Sequence, residues 1–449
     1  MKRRQALGAL VGIAVLGIAL QGCSGNSASN GGGGLDGKGK TLDVMIESQP
    51  IYPTQQKQWF SDVSAAFEKQ TGAKVTFETY PSPQDELTKI QTSVVSGQGP
   101  DIYTLGTTFT PTAYSTGAFT TMDDATWKEV GGKDRFIPAT LGISGPDDQH
   151  QVGIPFSSRP YVMAYNKDIL TQAGISQPPT SWDELTQDAA KVTGNGVYGI
   201  AVDYADGYDP WKYIWGMSRT AGNPIVDVTT KKAKIDSPEV MKAYQTYFGW
   251  LTQQKVVDPA SVGWKGANAL AAFADGKAAF LPMTSSTSAA TLDKSAVAGK
   301  YAYALLPTIP PGQTATTGDP AASILSGDNI VVAKYSKNQD LAFALVKYLT
   351  SADSQLSYQK LFGDLPTNVD AAKQFQTNNP AFAPVIDAAG KSYGTPFTGA
   401  WSDVQLDLTN VVVQSLPQLA RGSLSDDQIE SKLKAAQSAA QTSLDKAKG

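Results

Sequence analysis

Few side chains in this 449-residue sequence could support covalent or metal chemistry. His150 is the only histidine and Cys23 is the only cysteine. A transition-metal site would therefore depend on carboxylates and one imidazole, which is uncommon. Asp203, Asp206 and Asp209 are spaced by three residues, whereas an EF-hand loop spaces its first calcium ligands by two. We accordingly expect no metal site and no cofactor.

Enzymatic motifs are equally sparse. Ser357–Lys360 matches the S-x-x-K pattern of penicillin-binding proteins, but no K-T-G accompanies it and the segment is predicted to be helical. The G-x-S-x-G motif is absent from the sequence. The many carboxylates could still supply the acid pair of a glycosidase. We therefore expect a protein that is not an enzyme, with a surface glycosidase as the alternative.

The single cysteine follows the longest apolar run of the chain. Lys2, Arg3 and Arg4 precede the uncharged residues 6–20, a length that suits a signal peptide better than a membrane-spanning helix. Together with Cys23, these features resemble a bacterial lipobox. We interpret residues 1–22 as a signal peptide, Cys23 as the lipidation site and the Gly- and Ser-rich residues 23–40 as a flexible tether. The expected location is the extracytoplasmic face of the bacterial cell membrane, to which the lipid would anchor the chain.

Composition restricts the partners of the remaining chain. Loss of the three basic leader residues leaves 34 basic and 41 acidic side chains, a formal charge of −7. An acidic surface gives no reason to expect nucleic-acid binding. About 410 residues exceed what one hydrophobic core usually serves, so two domains are expected.

The hydrophobic pattern predicts an α/β fold. Residues 41–47, 73–80 and 101–105 have the pattern of strands, and two amphipathic helices separate them. This order predicts a parallel sheet. Ser82 caps the second of these helices, and further helices are predicted after Ser181, Ser237, Ser336 and Ser425, since serine is a residue type that caps helices.

Four segments in a fixed order carry a resemblance to a known family. They resemble the extracellular solute-binding proteins of ABC importers, in the branch that includes maltose- and oligosaccharide-binding proteins. The segments are "GQGPDIYTLG" (residues 97–106), "GIPFSSRPYVMAYNKDIL" (153–170), "FADGKAAFLPM" (273–283) and "SGDNIVVAKYSKNQDLAFALVKYLTS" (326–351).

The resemblance implies a two-lobe fold with three crossovers and a ligand cleft between the lobes. Mapped onto this chain, it places the crossovers near Ser158–Arg159, Met283–Thr284 and Gly327–Asp328. The N-terminal lobe would then comprise residues 41–158 and 284–327. The C-terminal lobe would comprise residues 159–283 and 328–449.

The implied ligand contacts come from crossovers, from loops after strands and from aromatic segments. Aromatic rings would stack on sugar faces, and planar polar groups would bind hydroxyls. For Arg159, a salt bridge at the hinge is the alternative. The expected contacts are Gln49, Tyr52, Phe109, Arg159, Tyr208, Asp209, Trp211, Ser285, Asp328, Asn329 and Trp401.

The resemblance also implies a function. We expect a monomeric receptor that captures a small carbohydrate by hinge closure and delivers it to the transmembrane subunits of an ABC permease. The loop after Asp101 lacks the Trp and acidic residues found nearby in maltose binders, which argues against maltose itself. A peptide or a polyamine is the alternative cargo.

Overall fold

The structure is a computed structural model that describes residues 35–447. Its two main β-sheets contain both parallel and antiparallel strand pairs. The predicted signal peptide, Cys23 and most of the predicted tether lie outside the described residues. In chain order the strands are β1 (Thr41–Glu47), β2 (Lys74–Tyr80), β3 (Ile102–Gly106), β4 (Ile154–Ser158), β5 (Val162–Asn166), β6 (Tyr198–Ile200), β7 (Val226–Asp227), β8 (Lys232–Ala233), β9 (Ala278–Thr284), β10 (Tyr301–Ala304), β11 (Ser323–Ile324), β12 (Gly327–Val332), β13 (Leu365–Pro366) and β14 (Ser392–Tyr393).

The α-helices pack on both faces of these two sheets. In chain order they are α1 (Pro53–Thr71), α2 (Pro83–Ser96), α3 (Thr110–Thr116), α4 (Asp124–Glu129), α5 (Pro138–Leu141), α6 (Lys167–Gln172), α7 (Trp182–Val192), α8 (Pro210–Thr220), α9 (Pro238–Thr252), α10 (Gly266–Ala274), α11 (Ala289–Leu292), α12 (Gln339–Leu349), α13 (Ala352–Phe362), α14 (Val369–Asn378), α15 (Ala383–Gly390), α16 (Trp401–Val413), α17 (Leu416–Ala420) and α18 (Asp426–Lys446). Among the described residues, no helix has both the length and the apolar character needed to cross a bilayer.

The first sheet has the strand order β13-β4-β12-β3-β1-β2. Strand β1 pairs in parallel with β2 and β3, which confirms the predicted parallel arrangement of the first three strands. Strand β12 is antiparallel to both of its neighbours, β3 and β4. This sheet and the helices packed on it, including α1, α2 and α12, are called the first lobe below.

The second sheet has the strand order β10-β5-β9-β6. Helices α7, α8, α9 and α10 pack around it, and the C-terminal helices α16 and α18 join the same buried cluster. This sheet and its helices are called the second lobe below.

The strand pairing corrects two of the predicted lobe assignments. Residues 284–327 were expected in the N-terminal lobe, but Tyr301–Ala304 pairs with β5 of the second sheet. Residues from 328 onward were expected in the C-terminal lobe, but β12 lies between β3 and β4 of the first sheet. A strand's pairing partner is set by distant segments, and the local pattern of β10 and β12 carries no information about it.

The chain passes between the lobes three times, through the β4–β5, β10–β12 and β13–α15 connections. The predicted crossover at Met283–Thr284 is therefore wrong, because β9 leads into α11 and β10 of the same lobe. The second crossing ends at Gly327, whose φ is +140°. A Cβ atom at this position would lie 2.0 Å from the carbonyl oxygen of Ser157, so a glycine allows the close approach of β12 to β4.

Most predicted helix starts are present. The hydroxyls of Ser82, Ser181 and Ser237 accept hydrogen bonds from the backbone N–H three residues ahead, as capping residues do. The helix predicted after Ser336 starts only at Gln339, because the Ser336 hydroxyl donates to Asp101 at 2.6 Å instead.

The last residues of the predicted tether, 37–40, belong to the folded part of the chain. Gly37 is buried, and its N–H donates to the carbonyl of Thr71 at 2.8 Å. The carbonyl of Lys40 in turn accepts from Lys74 at 3.0 Å. The ordered fold therefore starts before Thr41, because backbone hydrogen bonds rather than side-chain patterns fix these glycine-rich residues.

Candidate ligand-binding cleft

A cleft lies between the two lobes, where strands β1 and β3 end. It consists of a large chamber of about 530 Å³ and an adjoining small chamber of about 180 Å³. The loops that follow β1 and β3 form the first-lobe wall, because the carboxyl ends of parallel strands lie at one edge of a sheet. The two chambers share the lining residues Glu47, Pro50, Ile51, Arg159, Tyr161, Asp209 and Gly266.

Nine of the predicted ligand contacts line this cleft. Both lobes contribute, and the large chamber falls within the size range of ordinary ligand pockets. The large chamber is lined by Phe109, Arg159, Tyr208, Asp209, Trp211 and Asp328. The small chamber is lined by Gln49, Tyr52, Arg159, Asp209 and Ser285.

The structure places Asn329 in the core. Its side chain is fully buried, and its amide donates to the Thr110 hydroxyl at 3.0 Å and to the Ile143 carbonyl at 3.1 Å. Asn329 follows Asp328 on β12, and successive side chains of a strand point to opposite faces. One residue of this predicted pair therefore faces the cleft, and the other does not.

Trp401 also lies behind the cleft. It is fully buried at the start of α16, and its ring contacts Trp211 edge-to-face with centroids 5.8 Å apart. Trp211 lines the large chamber, and Trp401 lines neither chamber. The role of Trp401 in this geometry is to support Trp211.

Residues 204–215, which contain the expected contacts Tyr208, Asp209 and Trp211, form a turn followed by a helix. Helix α8 begins at Pro210, a residue suited to the first helical turn. The carboxylate of Asp206 accepts from the N–H groups of Tyr208 and Asp209, at 2.7 and 3.2 Å. This turn presents Tyr208 to the cleft, and the first turn of α8 presents Trp211.

Arg159 forms a buried ion-pair cluster at the floor of the cleft. Its Nε and Nη2 donate to the two carboxylate oxygens of Asp364 at 2.7 and 2.9 Å, and Nη2 also donates to Asp328 at 3.1 Å. The Ser157 hydroxyl donates to Asp328 at 2.7 Å. Arg159, Asp328 and Asp364 each lie at or beside one of the three connections between the lobes. The expected alternative for Arg159, a salt bridge at the hinge, is therefore present.

The charges of this cluster influence one another strongly. Burial alone would lower the pKa of Arg159, but Asp364 and Asp328 outweigh that effect and hold the pKa well above its usual range. Burial raises the pKa of Asp328, although Arg159 opposes the rise. Arg159 therefore stays charged, and the cluster keeps one carboxylate more than it has cations.

A second group of charges lies on the second-lobe wall. Carboxylate oxygens of Asp203, Asp206 and Asp209 lie within 4.8 Å of one another. The ammonium of Lys212 binds Asp209 and lies 4.3 Å from the centre of the Tyr161 ring. Burial, followed by the neighbouring Asp209, raises the pKa of Asp203 well above its ordinary value, and the same two causes raise that of Asp206. Lys212 thus supplies one positive charge to three acidic groups.

Several polar side chains of the cleft have no hydrogen-bond partner among residues 35–447. These are the carboxylate of Glu47, the hydroxyls of Thr107 and Tyr208 and the side-chain oxygen of Gln405. Burial raises the pKa of Glu47 to about 7, although Arg159 opposes this and Asp328 adds to it. Buried polar groups are normally paired, so groups left unpaired around one cavity indicate a place for a ligand.

Sequence reasoning missed several lining residues, most of them polar. Asp203 and Asp206 were set aside because their spacing does not match an EF-hand loop. Other spacings can also bring carboxylates together. Glu47 had a usable signal, because it is the acidic residue that ends a buried strand. Gln405 had none, since it lies in the middle of a helix pattern. The missed residues are Glu47, Glu86, Tyr161, Asp203, Asp206, Lys212, Lys265, Thr287 and Gln405.

The chain is similar to known proteins over most of its length. The family model described as bacterial extracellular solute-binding protein matches residues 52–356. The diacetylchitobiose binding protein DasA of Streptomyces coelicolor is 28% identical over 417 residues, which cover 91% of this chain and 92% of DasA.

Solved structures share the fold. An ABC transporter solute-binding protein of Thermotoga lettingae, bound with α-D-tagatose, has a TM-score of 0.74 at 23% identity and covers 90% of this chain and 100% of its own. The maltose-bound MalE3 of T. maritima has a TM-score of 0.72 at 21% identity and covers 88% of this chain and 99% of its own. These likenesses support the two-lobe α/β architecture described above.

Proposed function

Because this chain belongs to the family of bacterial extracellular solute-binding proteins, we propose that it captures a carbohydrate in the cleft and delivers it to an ABC permease. The supporting observation is the make-up of the cleft. Aromatic rings of Phe109, Trp211 and Tyr208 line the same chamber as unpaired polar groups. A sugar offers both an apolar ring face and hydroxyls, so it complements both kinds of surface.

The proposed contacts differ from the sequence expectation in three respects. Trp401 and Asn329 are omitted because they lie in the core. Arg159 keeps only its Nη1 for a ligand, since Nε and Nη2 are bound to Asp364 and Asp328. Trp211 replaces Trp401 as the main stacking platform.

Binding would also bring the lobes together. The Tyr52 hydroxyl of the first lobe donates to the carbonyl of Thr287 in the second lobe, so the lobes already meet at one end of the cleft. A ligand that touches both walls favours the arrangement in which both contacts exist, to the extent of its difference in affinity. The permease would then recognise the closed form of a single chain.

Ligand binding can be tested by thermal shift and calorimetry with diacetylchitobiose, maltose and tagatose, which are the sugars named for the relatives. We expect at least one carbohydrate to raise the melting temperature, and Trp211→Ala to weaken its binding at least tenfold. Trp264→Ala is the matched control, because Trp264 is half-buried and lines a separate cavity on the second lobe.

Two outcomes would contradict this function. If no carbohydrate binds but a peptide or polyamine does, the proposed cargo is wrong. If the protein cleaves an oligosaccharide during the incubation, it is a glycosidase and not a carrier. Product analysis of the calorimetry samples by chromatography separates binding from cleavage.

We also propose that Cys23 carries a lipid that anchors the protein at the outer face of the cell membrane. The support is the sequence pattern around Cys23, which lies outside the described residues. Cys23→Ser should move the protein from the membrane fraction to the soluble fraction, with Ser24→Ala as the control. Retention of Cys23→Ser in the membrane fraction would contradict the lipid anchor.

A further inference from the structure

The cleft is lined by more acidic than basic side chains. Its buried cations are already paired, since Arg159 is bound by two aspartates and Lys212 by Asp209. Among the described residues, four other lining carboxylates have no basic side chain within salt-bridge distance. They are Glu47, Glu86, Asp203 and Asp206.

Three of the acidic groups lie close together on one wall. The carboxylate oxygens of Asp203, Asp206 and Asp209 approach within 4.8 Å, and Asp203 is 4% exposed. Asp206 accepts backbone N–H bonds from Gly266 at 3.0 Å and from Tyr208 at 2.7 Å. Asp203 accepts none from outside the cluster among the described residues. Lys212 is the one buried cation on this wall among the described residues, and Lys265, the other lysine that lines the large chamber, is exposed and forms no ion pair there.

The opposite wall brings another carboxylate to the same space. Glu47 at the end of β1 lines the small chamber together with Asp203 and Asp209. Its carboxylate makes no ion pair among residues 35–447. A group placed between these walls therefore meets acidic side chains from both lobes.

An independent observation points to a ligand that donates hydrogen bonds. Gln405 of α16 is 3% exposed, and its side-chain oxygen accepts no hydrogen bond within the described part of the chain. It lines the large chamber, as do Asp206, Asp209 and Tyr208. The buried Tyr208 hydroxyl also has no hydrogen-bond partner among residues 35–447. A bound ligand would give these polar side chains the partners they lack.

We propose that the solute carried in this cleft is an amino sugar with a protonated amine, held between Glu47 and the aspartates 203, 206 and 209. The proposal rests on the carbohydrate function proposed above. An ammonium has three N–H donors and no acceptor, so each of its N–H groups can donate a hydrogen bond to a carboxylate oxygen. A neutral hydroxyl or an acetamide would fill the same space but would bring no positive charge to stabilise the ionised form of these buried carboxyl groups. Charge-assisted hydrogen bonds are roughly twice as strong as neutral ones.

The test compares two disaccharides that differ only at the nitrogen. Chitobiose has free amines and diacetylchitobiose has both amines acetylated, so their hydroxyls and ring faces match. We expect calorimetry at about pH 6, where most of the amines are protonated, to give chitobiose a 10- to 100-fold lower Kd. Asp203→Asn should remove most of this preference. Asp148→Asn, whose side chain is 82% exposed on the first lobe, should keep it.

The outcomes separate this inference from the function on which it rests. Equal or tighter binding of diacetylchitobiose overturns the amine proposal and leaves the carbohydrate function intact. Binding of spermidine and of no sugar overturns the carbohydrate function. A thermal shift with calcium chloride that Asp203→Asn abolishes would make the aspartates a metal site and would also overturn the proposal. If Asp203→Asn does not fold, Asp206→Asn serves in its place.

Discussion

The ion-pair cluster around Arg159 gives the sharpest stability prediction. Arg159→Met keeps most of the side-chain length but removes the charge that two carboxylates share. The side chains of Asp364 and Asp328 are 1% and 5% exposed, so water cannot replace the guanidinium. Removing one partner of a buried ion pair costs about 3–5 kcal/mol, because the other charge remains buried. We expect the free energy of unfolding to fall by that amount at about pH 7.

Arg219→Met is a matched control for this substitution. The Arg219 side chain is 18% exposed, as is that of Arg159, and it pairs with Asp319 at 2.8 Å. The Asp319 side chain, however, is 49% exposed. Exposed ion pairs contribute about 0–1 kcal/mol, so this variant should lose little stability. Methionine can also keep the contact that Arg219 makes with the Trp215 ring.

The assay is urea unfolding of both variants at about pH 5 and pH 7. Arg159 lowers the pKa of both Glu47 and Asp328 against the effect of burial. Without it these folded-state pKa values rise, so the variant holds more protons when folded and loses stability as the pH increases. We therefore expect a smaller loss at the lower pH. A loss no larger than that of Arg219→Met would refute the view that this cluster ties the three connections together.

Two further predictions concern Trp401 and Glu47. Trp401→Ala should lower the free energy of unfolding by about 3–5 kcal/mol, since a fully buried indole is removed; a loss below about 1 kcal/mol in urea would contradict its place in the core. Trp211 is itself 4% exposed, so Trp211→Ala should also lose stability, and its additional loss of ligand affinity distinguishes its role in the cleft. The pKa of Glu47, about 7 when folded, lies above its ordinary value of 4.5, so its ionisation costs stability as the pH rises through this window. The melting temperature of Glu47→Gln minus that of the parent protein should therefore increase between about pH 5 and pH 8. A difference that stays constant across that range would show that the folded protein does not raise the pKa of Glu47.

The sequence was sufficient to predict local structure. Alternating apolar residues marked β1, and capping serines marked α2, α7 and α9, because these signals depend on neighbours in the chain. The parallel pairing of β1 with β2 and β3 followed from the order of elements. The family resemblance added the two-lobe architecture and the position of the cleft.

The placement of β10 and β12 could not be predicted in the same way. Both strands are short, and the composition of neither strand specifies the sheet in which it pairs. Pairing depends on which strand lies beside them once the chain has crossed between the lobes. The same limit affected Trp401, because the sequence showed an irregular aromatic stretch but not the helix that buries this ring behind Trp211.

Polar side chains without hydrogen-bond partners lie on both walls of the cleft, so ligand binding and closure of the lobes are coupled. Glu47 and Thr107 belong to the first lobe, whereas Tyr208 and Gln405 belong to the second. A ligand bound to one wall alone leaves the polar groups of the other wall without partners, and each unmet buried group costs about 1–3 kcal/mol. Only a ligand that reaches both walls removes the full cost. Its size and its donors therefore determine how strongly it favours closure, and a solute too short to meet Glu47 from the aspartate wall should bind without closing the cleft.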